Sequence, residues 1–279
     1  MTIRPLVHDD LEATVELVMA TMPGPSDPEA RRAWLRTRTT WSLEKDPDGC
    51  WAAVDDDGRL VGFAVALVRD GIWGLSMLTV DPRNQARGVG RRLLEAALTT
   101  AERARGAIVC SSEDPRATRL YALAGFDLRP TTSANGIVDR SLLPPGLQAR
   151  ASEDFEATVP ISRAVRGGAY DPADLAVVAQ RPDSGLLLME GRGFALHRDG
   201  PTPMMLCATD GEAATDLLLS CMAAGPRGAT IAIDQITAGQ DWAIRAALGV
   251  RLPLSADGPV FTRGELGPLR PWLPSGVLL

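Results

Sequence analysis

A strand, a glycine loop and a helix start follow one another between Leu78 and Leu94, and this segment constrains the fold more than any other. Apolar residues recur on one helical face from Val89 to Leu98, which predicts a helix from Gly88 to about Arg105. Glycines let the backbone turn tightly and come close to a ligand. The segment therefore predicts an α/β fold in which a strand feeds a helix through a short loop.

Arginines are concentrated at the start of this predicted helix. Between residues 83 and 105, six arginines face two glutamates in a chain whose net charge is −6. Cations at a helix N-terminus cost about 0.3–1 kcal/mol each, because the helix dipole already places positive charge there. A bound anion reverses this cost, since amides and guanidinium groups then both interact with it favourably. We therefore predict a phosphate site; solvated arginines after an ordinary turn are the alternative interpretation.

Two well-known phosphate loops are excluded by spacing. The sequence has no G-x-x-x-x-G-K-[ST] segment, and Lys45 is its single lysine, which excludes a P-loop NTPase. The dinucleotide-binding fingerprint fails because Leu93 stands where its third glycine belongs. The negative net charge also argues against non-specific nucleic-acid binding.

Residues 85–90, Gln-Ala-Arg-Gly-Val-Gly, resemble the pyrophosphate signature [QR]-x-x-G-x-[GA] of the GNAT N-acetyltransferase superfamily. The preceding Leu-Thr-Val-Asp-Pro is similar to that family's fourth strand. The resemblance implies that acetyl-CoA binds here, with its pantetheine arm paired to the strand and its pyrophosphate held by loop amides. By position, the implied pantetheine residues are Leu78, Thr79 and Val80, and the implied pyrophosphate residues are Gln85, Ala86, Arg87, Gly88, Val89, Gly90 and Arg91.

Residues 119–126 resemble the family's Y-x-x-x-G-F element. They follow a predicted strand at 107–110 and a predicted helix that Asp114 caps and Pro115 begins. The resemblance implies that Tyr121 is the general acid that protonates the departing thiolate of CoA. Tyr121 also shares an apolar helical face with Ala117 and Ala124, so a core aromatic is the alternative interpretation.

The general base is less clearly marked. Glu44, Glu113 and Asp114 are the candidate carboxylates, the last two because they follow a strand end near the implied site. Each is alternatively a helix cap or a solvated loop residue. The predicted strand at 72–80 contains no glutamate, unlike that of relatives whose base lies there. A water chain, or an amine that arrives neutral, therefore stays open.

The chain is longer than one such domain requires. The segment Ser-Leu-Leu-Pro-Pro-Gly at 141–146 predicts a GNAT domain at 1–140, a linker at 141–149 and a second domain at 150–279. Each half is predicted to form a mixed, mostly antiparallel sheet flanked by helices, because the predicted element order repeats. An unrelated second α/β domain is the alternative.

The second half does not repeat the chemistry. Acidic residues between Ala208 and Asp216 replace the glycine loop, and Arg245 stands where the first half has Tyr121. Carboxylates near a helix N-terminus suit the dipole and repel a pyrophosphate. We therefore predict a degenerate second GNAT-like domain without a cofactor, which serves as a lid, a substrate wall or a dimer surface.

The resemblance implies an N-acetyltransferase that moves an acetyl group from acetyl-CoA to an amine of a small molecule or peptide by direct attack. A non-catalytic acyl-CoA-binding or regulatory module is an alternative, and the tandem layout also resembles that of mycothiol synthase. The cysteines and histidines lack the spacing of a metal site. Without a signal segment or an apolar span, we expect a cytoplasmic protein that binds neither membranes nor nucleic acid, with a homodimer left open.

Overall fold

The computed structural model describes residues 1–22, 24 and 27–278. They divide into two compact units, Met1–Arg105 and Gly106–Leu279. Helices and sheet strands occur in both units, which confirms the predicted α/β class. None of the helices in these described ranges is long and apolar enough to span a membrane.

The first unit contains one antiparallel sheet of the order β1-β2-β3-β4. Buried side chains of its first two helices pack against the middle strands and form its core. The elements are β1 (Thr2–Pro5), α1 (Leu11–Thr21), α2 (Pro28–Lys45), β2 (Cys50–Val54), β3 (Leu60–Arg69), β4 (Ile72–Val80) and α3 (Val89–Ala97).

Helix α3 is shorter than the sequence predicts. It ends at Ala97, and a 3₁₀ segment continues to Arg103. The hydroxyls of Thr99 and Thr100 donate to carbonyls three residues earlier, at 2.7 and 2.9 Å, which favours the tighter turn. The Thr100 hydroxyl also accepts a hydrogen bond from the buried Trp73 indole at 3.0 Å. The helix therefore ends where these threonines bond locally.

The second unit contains two antiparallel sheets, of the orders β5-β12-β6-β11 and β13-β10-β9-β8-β7. Its elements are β5 (Gly106–Cys110), α4 (Pro115–Leu123), β6 (Asp127–Ile137), β7 (Arg150–Ser152), α5 (Thr158–Arg166), α6 (Pro172–Ala179), β8 (Gly185–Met189), β9 (Gly193–Arg198), β10 (Thr202–Ala208), α7 (Gly211–Ala224), β11 (Thr230–Thr237), α8 (Asp241–Gly249), β12 (Leu254–Gly264) and β13 (Trp272–Leu273).

The order of elements recurs along the chain. Residues 2–137, the first repeat, run strand, two helices, three strands, helix, strand, helix, strand. Residues 150–264, the second repeat, run through the same ten elements in the same order. Within this order, β5 and β6 of the first repeat correspond to β11 and β12 of the second.

The compact units do not divide at the predicted linker. Strand β12 lies between β5 and β6, and β6 also pairs with β11. These pairings place residues 106–137 of the first repeat in the same unit as the second repeat. The segment 141–149 is itself docked, since the amides of Gln148 and Ala149 donate to Asp216 at 2.9 and 3.0 Å. Its prolines and glycine therefore mark a connection between repeats, which is not a boundary between compact bodies.

Candidate functional site

The glycine loop of the first unit is built around two left-handed residues. Gly88 is the N-cap of α3 with φ of 77°, and Ala86 has φ of 61°. The amide side chain of Gln85 donates to the carbonyl of Val80 at 3.0 Å, which ties the loop to the end of β4. Gly88 adopts this conformation without the strain that a side chain would add.

The amides at the start of α3 are unused by the described part of the protein. No side chain caps the helix, and its first turn contains no acidic residue. The first bond of the helix runs from the amide of Arg92 to the carbonyl of Gly88. None of the amides of residues 86–91 donates to an acceptor within the described ranges. The N-terminus of α3 thus combines several free N–H groups with the positive end of the helix dipole.

The arginines around the loop are not equivalent. Arg83 is bound to Asp81, with its Nη2 at 2.6 Å from the carboxylate. Arg91 lies 3.5 Å from Glu95, and Arg92 donates to the Met1 carbonyl at 3.3 Å. The exposed Arg87 has no ion-pair partner in the described part of the chain. Arg87 is therefore the cation most available to an anion.

Strand β4 is bulged two residues before the segment implied to bind pantetheine. Met77 is opposite Val65 and Leu75 is opposite Ala66, so Ser76 is the extra residue. The guanidinium of Arg38, on α2, donates to the carbonyl of Ser76 and to its hydroxyl, the latter at 2.7 Å. Sequence reasoning missed both residues, because an arginine on a polar helix carries no sign of a distant bulge.

Leu78, Thr79 and Val80 follow this bulge. The side chain of Leu78 is half-buried, and the other two are buried. The Thr79 hydroxyl lies 3.0 Å from that of Thr21, at the end of α1. The residues implied to bind pantetheine and those implied to bind pyrophosphate therefore form one continuous strand–loop–helix segment in the first unit.

Tyr121 lies on α4 in the second unit. Its side chain is 5% exposed, and its ring packs edge-on against Phe261 with centroids 5.5 Å apart. The hydroxyl has no hydrogen-bond partner among the described residues. Burial raises the pKa of the Tyr121 phenol well above its ordinary value. The phenol is therefore protonated throughout the physiological pH range.

The three candidate bases differ in their surroundings. Asp114 is the N-cap of α4, where it accepts from the Arg116 amide at 2.8 Å and pairs with its guanidinium at 2.7 Å. The bond from the Arg116 side chain lowers the pKa of Asp114, which weakens it as a base. Glu113 precedes it as an exposed residue of the second unit, and Glu44 is exposed near the end of α2 in the first unit. The predicted Asp114 cap is confirmed.

The cysteines do not contribute an active thiol. Cys50, Cys207 and Cys221 are buried, and desolvation raises their thiol pKa to about 12. Burial also raises the pKa of Cys110. Across the described ranges, no cluster of histidine, cysteine and carboxylate side chains has the arrangement of a metal site.

The second repeat has a different helix start at the corresponding position. Asp210 caps α7 and accepts from the Ala213 amide at 2.9 Å. Arg192 binds both Asp210 and Glu212, at 2.9 and 3.2 Å. The N-terminus of α7 is thus occupied by carboxylates of the protein itself, whereas that of α3 is not.

Part of the chain matches a known protein family. Residues 11–126 match the model of the acetyltransferase (GNAT) family. A mycothiol acetyltransferase of Clavibacter michiganensis is 31% identical over 144 residues, which cover 50% of this chain and 40% of that protein. The chain thus aligns with less than half the length of this curated relative.

Two solved structures share the fold over nearly the whole chain. A proposed acetyltransferase from Pyrococcus horikoshii matches with a TM-score of 0.74 and 20% identity, covering 95% of this chain and 89% of that one. A GCN5-related N-acetyltransferase from Kribbella flavida matches with a TM-score of 0.62 and 16% identity, covering 94% and 70%. Residues 11–126, the part of the chain that matches the acetyltransferase (GNAT) family, include the glycine loop and Tyr121.

Proposed function

We propose that the chain is an N-acetyltransferase that moves an acetyl group from acetyl-CoA to an amine of a small molecule or a peptide. The start of α3 is the observation that carries this proposal. Its amides have no acceptor among the described residues, its first turn lacks an acid, and Arg87 lies exposed beside it. In a GNAT-family domain, these features favour a bound pyrophosphate over a merely solvated helix start.

The residues of the segment fit this cofactor. A Cβ on Gly88 would meet no atom within 4 Å, so the space above the loop is open to a ligand. The amides of residues 86–91 would hold the pyrophosphate, and Arg87 would neutralise part of its charge. The backbone of Leu78, Thr79 and Val80 would pair with the pantetheine arm.

Acetyl-CoA supplies a thioester whose carbonyl carbon accepts the amine and whose sulfur leaves as a thiolate. Tyr121 donates its phenolic proton to that sulfur. The phenol carries this proton at physiological pH, because burial raises its pKa. Backbone amides of β4 hold the negative charge that develops on the carbonyl oxygen.

The amine must lose a proton during the reaction. Asp114 is engaged by Arg116, so Glu113 and Glu44 are the stronger candidates for this role. Substitution of each residue by glutamine distinguishes the two candidates. The variant that lacks the true base should lose activity most strongly at low pH, where fewer amine molecules are neutral. Equal activity of both variants at all pH values would assign the step to water or to a neutral amine.

A second candidate is acetylation of a mycothiol precursor. The 31% identity to a mycothiol acetyltransferase favours it, although the alignment covers only 40% of that protein. The deacetylated form of mycothiol therefore belongs in any panel of acceptor amines.

Release of thiol from acetyl-CoA in the presence of an amine panel tests the proposal. We expect release that depends on one class of amine and yields a stoichiometric amide by mass spectrometry. Binding of CoA by calorimetry without turnover on any amine would support the non-catalytic alternative instead.

Arg87→Ala tests whether the pyrophosphate is held at the loop. We expect a KM for acetyl-CoA about tenfold higher, with little change for acetyl-pantetheine, which lacks the pyrophosphate. Arg227→Ala removes another exposed arginine and serves as the matched control. An equal loss with both donors would contradict binding of the pyrophosphate by Arg87.

A further inference from the structure

The two repeats exchange their last strands within the second unit. Strand β5 of the first repeat pairs with β12 of the second, and β11 of the second pairs with β6 of the first. Strands β12 and β6 pair with each other in the middle. The last strand of each repeat therefore lies between strands of the other repeat. Strand β12, residues 254–264, is the strand of the second repeat that contacts α4.

Strand β12 contacts α4 and the residues that follow it through two side chains. Phe261 is fully buried, is registered between Val109 of β5 and Leu128 of β6, and meets the ring of Tyr121. Arg263 lies over the ring of Phe126 at 4.7 Å and donates to the carbonyl of Ala124 at 3.3 Å. The second repeat therefore fixes both the ring of Tyr121 and the turn that ends its helix.

The Tyr121 ring depends on packing for its orientation. Its hydroxyl has no hydrogen-bond partner in the described ranges that could fix the oxygen. The edge-on contact with Phe261, at an interplanar angle of 63°, is the described aromatic contact that restricts its rotation. A general acid must be held close to its productive position, because small displacements cost large factors in rate.

We infer that β12 of the second repeat is part of the catalytic apparatus of the first, with Phe261 as the positioning residue for Tyr121. This inference rests on the proposed function of Tyr121 as general acid. It assigns to the second repeat a role that is neither a lid nor a substrate wall. Phe261 itself has no group that could exchange a proton, so it acts only through the tyrosine.

The two tyrosines of the chain allow a direct structural test. Each packs edge-on against a fully buried phenylalanine: Tyr121 against Phe261, and Tyr170 against Phe194 with ring centroids 6.4 Å apart. In protein labelled with 3-fluorotyrosine, two ¹⁹F resonances are expected. We expect Phe261→Leu to shift the Tyr121 resonance and not that of Tyr170. The control Phe194→Leu should do the reverse.

Kinetics test the catalytic part of the inference. We expect Phe261→Leu to lower kcat about tenfold and to leave the KM for acetyl-CoA unchanged, because the loop that holds the cofactor is intact. In a Tyr121→Phe background the same substitution should have no further effect on kcat, since its action passes through the hydroxyl. Phe194→Leu should leave kcat unchanged.

Each outcome decides a separate point. An unmoved Tyr121 resonance, or additive effects of the two substitutions, would overturn the positioning role of Phe261. Full activity of Tyr121→Phe alone would instead overturn the proposed acid, and the ¹⁹F shift would still test the packing. Should Phe261→Leu fail to fold, Phe261→Met, whose unbranched side chain adapts to the space, carries the same comparison.

Discussion

At the scale of single residues, Tyr121 combines burial with the absence of a described hydrogen-bond partner. Burial disfavours the phenolate and raises the pKa, so the phenol stays protonated at physiological pH. This unbonded hydroxyl supports the proposal that Tyr121 acts as an acid, since the hydroxyl of a buried structural tyrosine usually has a hydrogen-bond partner.

Tyr121→Phe should lower kcat about 100-fold, because the thiolate then leaves without a proton donor. The KM for acetyl-CoA should change little, since the loop amides are untouched. Tyr170→Phe is the control: its hydroxyl accepts from the Trp272 indole at 3.2 Å and lies outside the proposed site. Steady-state kinetics of the two variants check the expectation, and retention of wild-type kcat by Tyr121→Phe would disprove the acid role.

Asp81 provides a pH-dependent contribution to stability. Bonds from the Arg83 side chain and amide hold the pKa of the Asp81 carboxylate at about 2, below its ordinary value. A lowered folded-state pKa means that this contribution is complete above about pH 4 and disappears as the pH falls towards 2.

Asp81→Asn should therefore lower the free energy of unfolding by about 1 kcal/mol at pH 7. The difference from wild type should shrink at pH 3. Urea unfolding at both pH values measures it. Asp57→Asn, at an exposed turn carboxylate, is the control and should show a small difference at either pH. A constant Asp81→Asn deficit from pH 7 to pH 3 would contradict the ion-pair explanation.

At the scale of elements, a comparison of two glycines distinguishes the effect of conformational strain from that of ligand binding. Gly88 and Gly58 have almost the same φ, 77° and 78°, and a Cβ on either would meet no atom within 4 Å. Gly58 belongs to the turn between β2 and β3 and has no part in the proposed site. The two positions therefore form a matched pair in which only the function of the loop differs.

Gly88→Ala and Gly58→Ala should each destabilise the protein by about 1 kcal/mol, the cost of a side chain in the left-handed region. Only Gly88→Ala should weaken acetyl-CoA binding, by about tenfold, because the strain is relieved by moving the amides that hold the ligand. Calorimetric titration with CoA and urea unfolding measure the two effects. Equal CoA affinity in both variants would count against the loop as the pyrophosphate site.

Local signals were sufficient for most elements. The spacing of apolar residues predicted the start of α3, and Asp114-Pro115 predicted the start of α4, because caps and helical faces depend on neighbouring residues. The bulge at Ser76 and its bond to Arg38 could not be predicted in this way. Both arise from packing between segments far apart in sequence, for which a single sequence contains no periodic pattern.

At the scale of the whole molecule, the repeat was predictable and the strand exchange was not. The order of strands and helices follows from local patterns, and it matches between the two repeats. The partner of a given strand depends on which sheet edge the strand reaches. The sequence pattern of β12 would be the same whether it paired with β11 or with β5. The prolines and glycine at 141–146 predicted a domain boundary there. The compact units of the structure instead divide after Arg105.

Cleavage of the connection between repeats should leave the protein associated. A protease site inserted among the exposed residues 144–146 would yield two fragments joined only by non-covalent contacts. We expect them to co-elute in native gel filtration and to separate in denaturant, because β5, β12, β6 and β11 alternate between fragments. Separation in native buffer would show that the exchanged strands do not hold the repeats together.

The exchanged strands would also preserve the second repeat whether or not it binds a ligand. A second copy folded on its own could be deleted from the gene once its binding site had decayed, at no cost to its twin. Here deletion would remove the strand that lies between β5 and β6 of the first repeat. Selection would then retain the sequence of β12 while the start of α7 is free to drift towards carboxylates, which is the asymmetry that the two helix starts display.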